Sequence, residues 1–341
     1  MAVNSQYTAA LVGCGRIGYS LGLDAKREQP ASHTMALLDN RRIRLVAGCD
    51  SDIGKLSVWH KAVPGAKSYQ RSEDMYREVH PDIITVAVPE EFHKSEALAA
   101  IAARPKLLIL EKPVALNSRE AQDIKNASVE AGVPVMINHE RRFAEDYKKA
   151  KACMAGIGCL QSIYAFLSSS LCLYDRRGES TGAFSLFHDG THLVDAVMYF
   201  LGDPPSLGQP LLTGIYKDEK GSIRQLSAHW ATDKCPDITV TMSGRARYFG
   251  FEIQLNGTEG RICIGNSYLK IYQRKDSPLY TGFFSLVSDK EADKIEKTRY
   301  FSNMVQNAVD FLDGKAPLLS PIDTGIKDLL ILEDIKSSLY R

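Results

Sequence analysis

The chain has 341 residues, too many for one small core and suited to two domains that each bury their own. Its 42 Lys and Arg against 41 Asp and Glu leave a formal charge of +1 with no long block of one sign, which argues against an electrostatic grip on nucleic acid or an acidic membrane. Seven scattered cysteines without a C-x-x-C pair suggest neither a disulfide framework nor a zinc ribbon, and buried free thiols are expected. The first residues lack a basic leader pattern, and no apolar run approaches the roughly 20 residues of a membrane helix, so a soluble, cytoplasmic protein is expected.

From residue 7 to about 138, β-rich runs alternate with helical patterns. The runs are Tyr7 to Val12, Ile43 to Cys49, Asp82 to Val88, Leu107 to Leu110 and Val133 to Ile137. Such alternation reads as a doubly wound parallel sheet, an α/β Rossmann domain over 1–138. Helices are expected over Ser95 to Ala103 and Ser118 to Ala131, the second started by Asn117 and stopped before Gly132 and Pro134. Beyond residue 139 longer alternating runs follow one another: Leu160 to Ser168, Arg224 to Ala231, Ile238 to Arg245, Phe251 to Leu255 and Tyr268 to Arg274. They predict an α+β domain over 139–341 with a largely antiparallel, open sheet. A helix from about Gly190 to Leu201, with Leu193, Val194, Val197, Met198 and Leu201 on one stripe, interrupts them, and Asp323 to Leu339 is helical in pattern.

The first strand runs into Gly13-Cys14-Gly15-Arg16-Ile17-Gly18, a G-x-G-x-x-G where a strand turns into a helix. Glycines at these points allow a tight turn, close approach of the backbone to a pyrophosphate, and close packing of helix on strand. Asp50, ending the next predicted strand, is placed to hold a ribose hydroxyl pair. Ser51 and Asp52 follow it with no arginine, so a 2′-phosphate would meet negative charge, and NAD is expected rather than NADP. The 32 residues from Gly18 to Asp50 exceed the usual spacing of roughly 20. The excess falls in Leu21 to Ser32, which reads either as a surface insertion or as a lid.

Further along, Val88-Pro89 is followed by His93, and Glu111-Lys112-Pro113 comes directly after a strand. Arg142-Phe143, Gly156-Ile157-Gly158 and Gly190-Thr191-His192-Leu193-Val194-Asp195 follow in order. In these motifs and their spacing the chain resembles the Gfo/Idh/MocA oxidoreductases, relatives of glucose–fructose oxidoreductase and inositol dehydrogenase, over nearly its whole length. The resemblance implies NAD-dependent oxidation of a ring secondary alcohol on a sugar, sugar nucleotide or cyclitol. Lys112 would bind the reacting oxygen and His192 would exchange its proton. Cofactor contacts would come from Gly13, Gly15, Arg16, Ile17, Gly18, Asp50, Pro89, His93 and Glu111, and substrate contacts from Asn138, Arg142 and Asp189. It also implies a homodimer or homotetramer paired through the open sheet. Histidine's neutral-range pKa and a lysine ammonium suit the proton exchange and the developing alkoxide.

One departure stands out. Four residues before His192, where many relatives carry aspartate, this chain has His188, and Asp189 is displaced by one position. On a helix His188, His192 and Asp195 would share a face. His188 then reads as a second protic catalytic group or as a helix-start residue, and no metal site is expected. His33, His60, His80 and His229 lie in no motif and read as surface or core residues. Two other functions share the same features: an NAD-using glycosidase with transient oxidation, and a non-catalytic NAD-binding regulator, against which retention of Lys112 and His192 counts.

Overall fold

The computed structural model describes residues 6–181, 184–266, 268–291, 293–294 and 297–339. The chain divides into two compact units, Met1–Ala144 with Arg299–Ile326, and Glu145–Thr298 with Lys327–Arg341. This differs from a single boundary at 138/139 chiefly because a late segment returns to the first unit. The cause is the helix Tyr300–Leu312, whose Phe301, Met304, Val305, Ala308 and Val309 recur at helical spacing and are buried in the same core as Leu37, Met136 and Phe143.

Among the described residues the first unit holds one six-stranded sheet. Its strands are β1 (Tyr7–Val12), β2 (Ile43–Cys49), β3 (Lys67–Tyr69), β4 (Ile83–Val86), β5 (Leu107–Leu110) and β6 (Val135–Ile137), all parallel in the order β3-β2-β1-β4-β5-β6. β4 and β5 are apolar and buried at nearly every position because helices cover both faces of such a sheet. The helix Ser118–Ala131 begins as its sequence requires: the Asn117 side chain accepts the Glu120 N–H at 2.9 Å, and Gly132 closes the end in the left-handed region.

The second unit is built on an eight-stranded sheet among the described residues: β7 (Leu160–Ser168), β8 (Leu211–Lys217), β9 (Ile223–Thr232), β10 (Cys235–Ser243), β11 (Gly250–Gly257), β12 (Gly260–Gly265), β13 (Tyr268–Asp276) and β14 (Phe284–Ser288). The order is β14-β13-β12-β11-β7-β10-β9-β8, antiparallel except where β10 runs parallel to β7. One face buries Ile163, Ala165, Leu167, Val240, Met242 and Ile253, and the helix Gly190–Leu201 belongs to this unit. The other face is open, but it is less apolar than a two-sided hydrophobic sheet would be. Tyr164 and Phe166 project from it, 45% and 38% exposed, among polar side chains bonded to one another: Thr213 to His229 at 2.7 Å, His229 to Thr239 at 3.0 Å, and Ser227 to Thr241 at 2.9 Å. Among the described residues no helix is long and apolar enough to cross a membrane. The cysteines are free, with Cys14, Cys49 and Cys235 buried and Cys159 exposed.

Candidate active site

In a parallel sheet the loops leaving the carboxyl ends of the strands gather along one edge, and ligands settle where the strand order reverses. That point lies between β1 and β4. Four of the expected cofactor positions in the first unit follow strands: Gly13 after β1, Asp50 after β2, Pro89 after β4, and Glu111 after β5. Asn138 follows β6 in the same way.

The glycines divide their duties. Gly13 has φ +95°, and a Cβ there would stand 2.4 Å from Ala87 O, so the residue must be glycine for conformation and for space. A Cβ on Gly18 would stand 1.9 Å from Gly13 O, which closes the turn upon itself. Gly15 differs, because its nearest neighbour would be the Lys55 side chain at 4.0 Å. Among the described residues nothing forbids a side chain at Gly15, and the open approach it leaves suits a pyrophosphate lying against the backbone. Arg16 is exposed and Ile17 packs half-buried against the core.

A regular helix does not follow this loop directly. Residues 15–19 make one turn, with Tyr19 N–H donating to Gly15 O at 2.9 Å, and a short 3-10 turn spans Ser20–Leu23. The α-helix resumes at His33–Asp39, where His33 N–H donates to Ile17 O at 3.1 Å and Thr34 N–H to Gly18 O at 2.9 Å. In an unbroken helix residue 21 would donate to Ile17 O. The chain has therefore interposed twelve residues within one helical turn, and taking these from the 32 between Gly18 and Asp50 leaves 20, the usual spacing. The interposed loop is tied to its own unit, with Glu28 accepting Arg299 N–H at 2.7 Å, and is largely exposed at the surface.

Asp50 accepts the Cys14 N–H at 2.9 Å and the Asp52 N–H at 2.9 Å, so its carboxylate is fixed beside the glycine loop. Asp52 caps the helix Ile53–Ala62 by accepting from Gly54 and Lys55, and the Lys55 hydrogen bond foremost holds its carboxyl below the ordinary range. A cation unnoticed in the sequence stands here, for Lys55 Nζ lies 3.6 Å from Asp52. Pro89 is exposed, whereas His93 is buried, with Nδ1 2.6 Å from Pro113 O and Nε2 3.0 Å from Val88 O. Its ring thus clamps the loops after β4 and β5, and burial pushes its pKa down against the pull of the two carbonyls.

Glu111 is 6% exposed, with Oε1 accepting from His33 Nε2 at 2.6 Å and from Asn138 Nδ2 at 2.6 Å. Its Oε2 accepts the Lys112 N–H at 3.3 Å. Burial alone would raise this carboxyl, but the bond and charge of His33, the Asn138 bond and the nearby Lys112 prevail and bring it to about 2. His33, read from the sequence as a surface or core residue, is fully buried against Glu111. Lys112 is half-buried, and Arg142 is buried in the short helix Glu140–Phe143.

In the second unit, the helix Ser185–His188 leads through Asp189 into the helix Gly190–Leu201. His188, Asp189 and His192 are half-buried, and Asp195 is buried. The Asp189 carboxylate accepts the Ser185 hydroxyl at 2.6 Å, and Asp189 O accepts His192 N–H at 3.1 Å. Asp189 is therefore turned to its own helix start.

Residues 7–139 match the model of an oxidoreductase family with an NAD-binding Rossmann fold. Among curated proteins the chain is 25% identical over 208 residues to the D-glucoside 3-dehydrogenase of Escherichia coli K12, covering 59% of this chain and 56% of that protein. It is 25% identical over 150 residues to the NADP(+) scyllo-inositol 2-dehydrogenase of Bacillus subtilis 168, covering 42% of this chain and 41% of the other. These alignments span about half the length of the relatives. The WlbA dehydrogenase of Bordetella pertussis, solved with NADH and UDP-GlcNAcA, superposes with a TM-score of 0.76 at 17% identity over 98% of this chain and 96% of its own. An oxidoreductase of Desulfitobacterium hafniense DCB-2, described as NADPH-dependent, gives a TM-score of 0.81 at 17% identity over 98% and 97%. Such identities establish the fold, and over residues 7–139 the chain matches the Gfo/Idh/MocA oxidoreductase family model.

Proposed function

We propose that this chain is an NAD-dependent dehydrogenase that reversibly oxidises a ring secondary alcohol of a sugar, sugar nucleotide or cyclitol. The observation that carries the proposal is the convergence, at the carboxyl ends of β1, β2 and β5, of the glycine loop, Asp50 and the Glu111-Lys112 turn. Relatives that act on a glucoside and on an inositol support the substrate class. The nicotinamide supplies the acceptor for hydride leaving the carbinol carbon. Lys112 stabilises the alkoxide that forms as the hydroxyl proton departs, and His192 receives that proton. His188 serves as a second protic group in place of the usual carboxylate, since Asp189 is engaged with Ser185. Arg142 contributes to substrate binding, and so does Asn138, whose amide nitrogen also donates to Glu111.

The test is a screen of free and nucleotide-linked sugars and inositols, reading NADH absorbance and, separately, product by mass spectrometry. Net NADH with a ketone product is expected. Product without net NADH would replace this reading with an NAD-using glycosidase, and no turnover of any polyol would leave a binding protein.

Asp50 is the proposed discriminator between cofactors. NAD(H) should bind at least about 10-fold more tightly than NADP(H), and Asp50→Ala should narrow that gap, because a 2′-phosphate would face the Asp50 and Asp52 carboxylates with Lys55 already paired to Asp52. Calorimetric titration of both cofactors decides it, and tighter binding of NADP(H) sinks the assignment.

We further propose a homodimer or homotetramer that covers the open face of the second sheet, because Tyr164 and Phe166 stand exposed on its central strand. Light scattering at micromolar concentration should return a multiple of the chain mass. A monomer there refutes it.

A further inference from the structure

We infer that His33 is a positioning residue for Lys112, acting through Glu111 and tying the lysine turn to the phosphate-binding loop. The inference rests on the dehydrogenase reading for what Lys112 does, but its structural content is independent of turnover.

A buried carboxylate is costly unless charges and donors surround it. Glu111 meets that demand from three directions: the start of the resumed helix through His33, the end of β6 through Asn138, and its own turn through the Lys112 amide. The carboxylate therefore has little freedom, and the backbone from which the Lys112 side chain departs is fixed with it.

His33 brings more than one hydrogen bond. Its own N–H continues the helical turn begun by the glycine loop by donating to Ile17 O at 3.1 Å, while its ring reaches Glu111 at 2.6 Å. Phe301 packs edge-on against that ring at 5.1 Å and holds its plane. One residue thus joins the segment that faces the phosphates to the segment that carries the lysine, and a displacement of either is passed to the other. A purely structural role explains this arrangement less well. His33 is 0% exposed and its Nδ1 has no hydrogen-bond partner among the described residues, a cost that an apolar residue of like volume would avoid.

Three variants of the full chain test the inference: His33→Ala, His33→Gln, whose amide can still donate to Glu111, and Glu111→Gln. Acylation of Lys112 by acetic anhydride, followed by peptide mass spectrometry against Lys55 and Lys106 as internal references, reports the lysine without any turnover. In His33→Ala the relative labelling rate should change at least about 3-fold, and kcat should fall roughly 10-fold to 100-fold with KM and NAD(H) affinity held within about 3-fold. His33→Gln should recover most of both losses, whereas Glu111→Gln should reproduce the labelling change. Unchanged labelling in His33→Ala overturns the inference. So does a loss that is equal in His33→Ala and His33→Gln and accompanied by a parallel fall in NAD(H) affinity, which marks a residue of general structure. A wild-type protein inactive on every polyol would end the dehydrogenase reading, and the labelling comparison would still decide for or against the positioning role.

Discussion

Lys112→Ala is expected to lower kcat by roughly 100-fold or more while leaving NAD(H) affinity within about 3-fold. The split follows from where the contacts lie. Binding of the cofactor is assigned to the loop after β1 and to Asp50 after β2, and neither depends on the Lys112 side chain. Lys112 follows β5, and the task proposed for its ammonium is to stabilise the alkoxide as it forms. An interaction realised mainly in the transition state appears in kcat rather than in affinity. Steady-state kinetics together with calorimetry on the same preparation measure both quantities. A variant that turns over at the wild-type rate would remove the chemistry proposed for this site, while a variant that loses cofactor affinity in proportion to kcat would move Lys112 from the reacting oxygen to the cofactor.

Two substitutions in one loop should fail for opposite reasons. Gly18→Ala places a methyl group 1.9 Å from the Gly13 carbonyl oxygen, a backbone atom that cannot swing aside, so stability should fall by roughly 3 kcal/mol. Gly15→Ala meets nothing closer than the Lys55 side chain at 4.0 Å, so the protein should unfold as the wild type does. Its NAD(H) affinity should nonetheless drop by about 10-fold or more, because the methyl group occupies the approach proposed for the pyrophosphate. Thermal unfolding and calorimetric titration of both variants make the comparison. If Gly15→Ala binds NAD(H) as tightly as the wild type, the loop does not receive the phosphates as proposed.

The parallel strands were legible because burial on both faces writes them as largely apolar runs. β1, β2 and β5 have the bounds read from Tyr7 to Val12, Ile43 to Cys49 and Leu107 to Leu110. β3 was missed, being three residues long with its first two exposed, which leaves no alternation to read. The helix Tyr300–Leu312 carries a regular apolar stripe, but periodicity reports a buried face and says nothing of which unit buries it. His33 was passed over because its partner Glu111 stands 78 residues away, and nothing local marks the pair. A signal was present in the overlong spacing to Asp50, for removing Leu21 to Ser32 sets His33 three places after Gly18. In the second unit the strand alternation was read for β7 and β9, while the partner of Asp189 depended on a helix start at Ser185 that the sequence pattern did not reveal.

The late return of the chain to its first unit has a consequence for biosynthesis. The parallel sheet is complete in sequence by Ile137, yet Phe301, Met304 and Val305, which seal part of its core, leave the ribosome only after all the strands of the second unit. During that interval the nascent N-terminal segment carries an uncovered apolar surface, and such surfaces attract chaperones or other nascent chains. Premature termination anywhere before residue 300 leaves the same surface bare, so fragments that look like whole nucleotide-binding domains by their strand count lack part of their own interior.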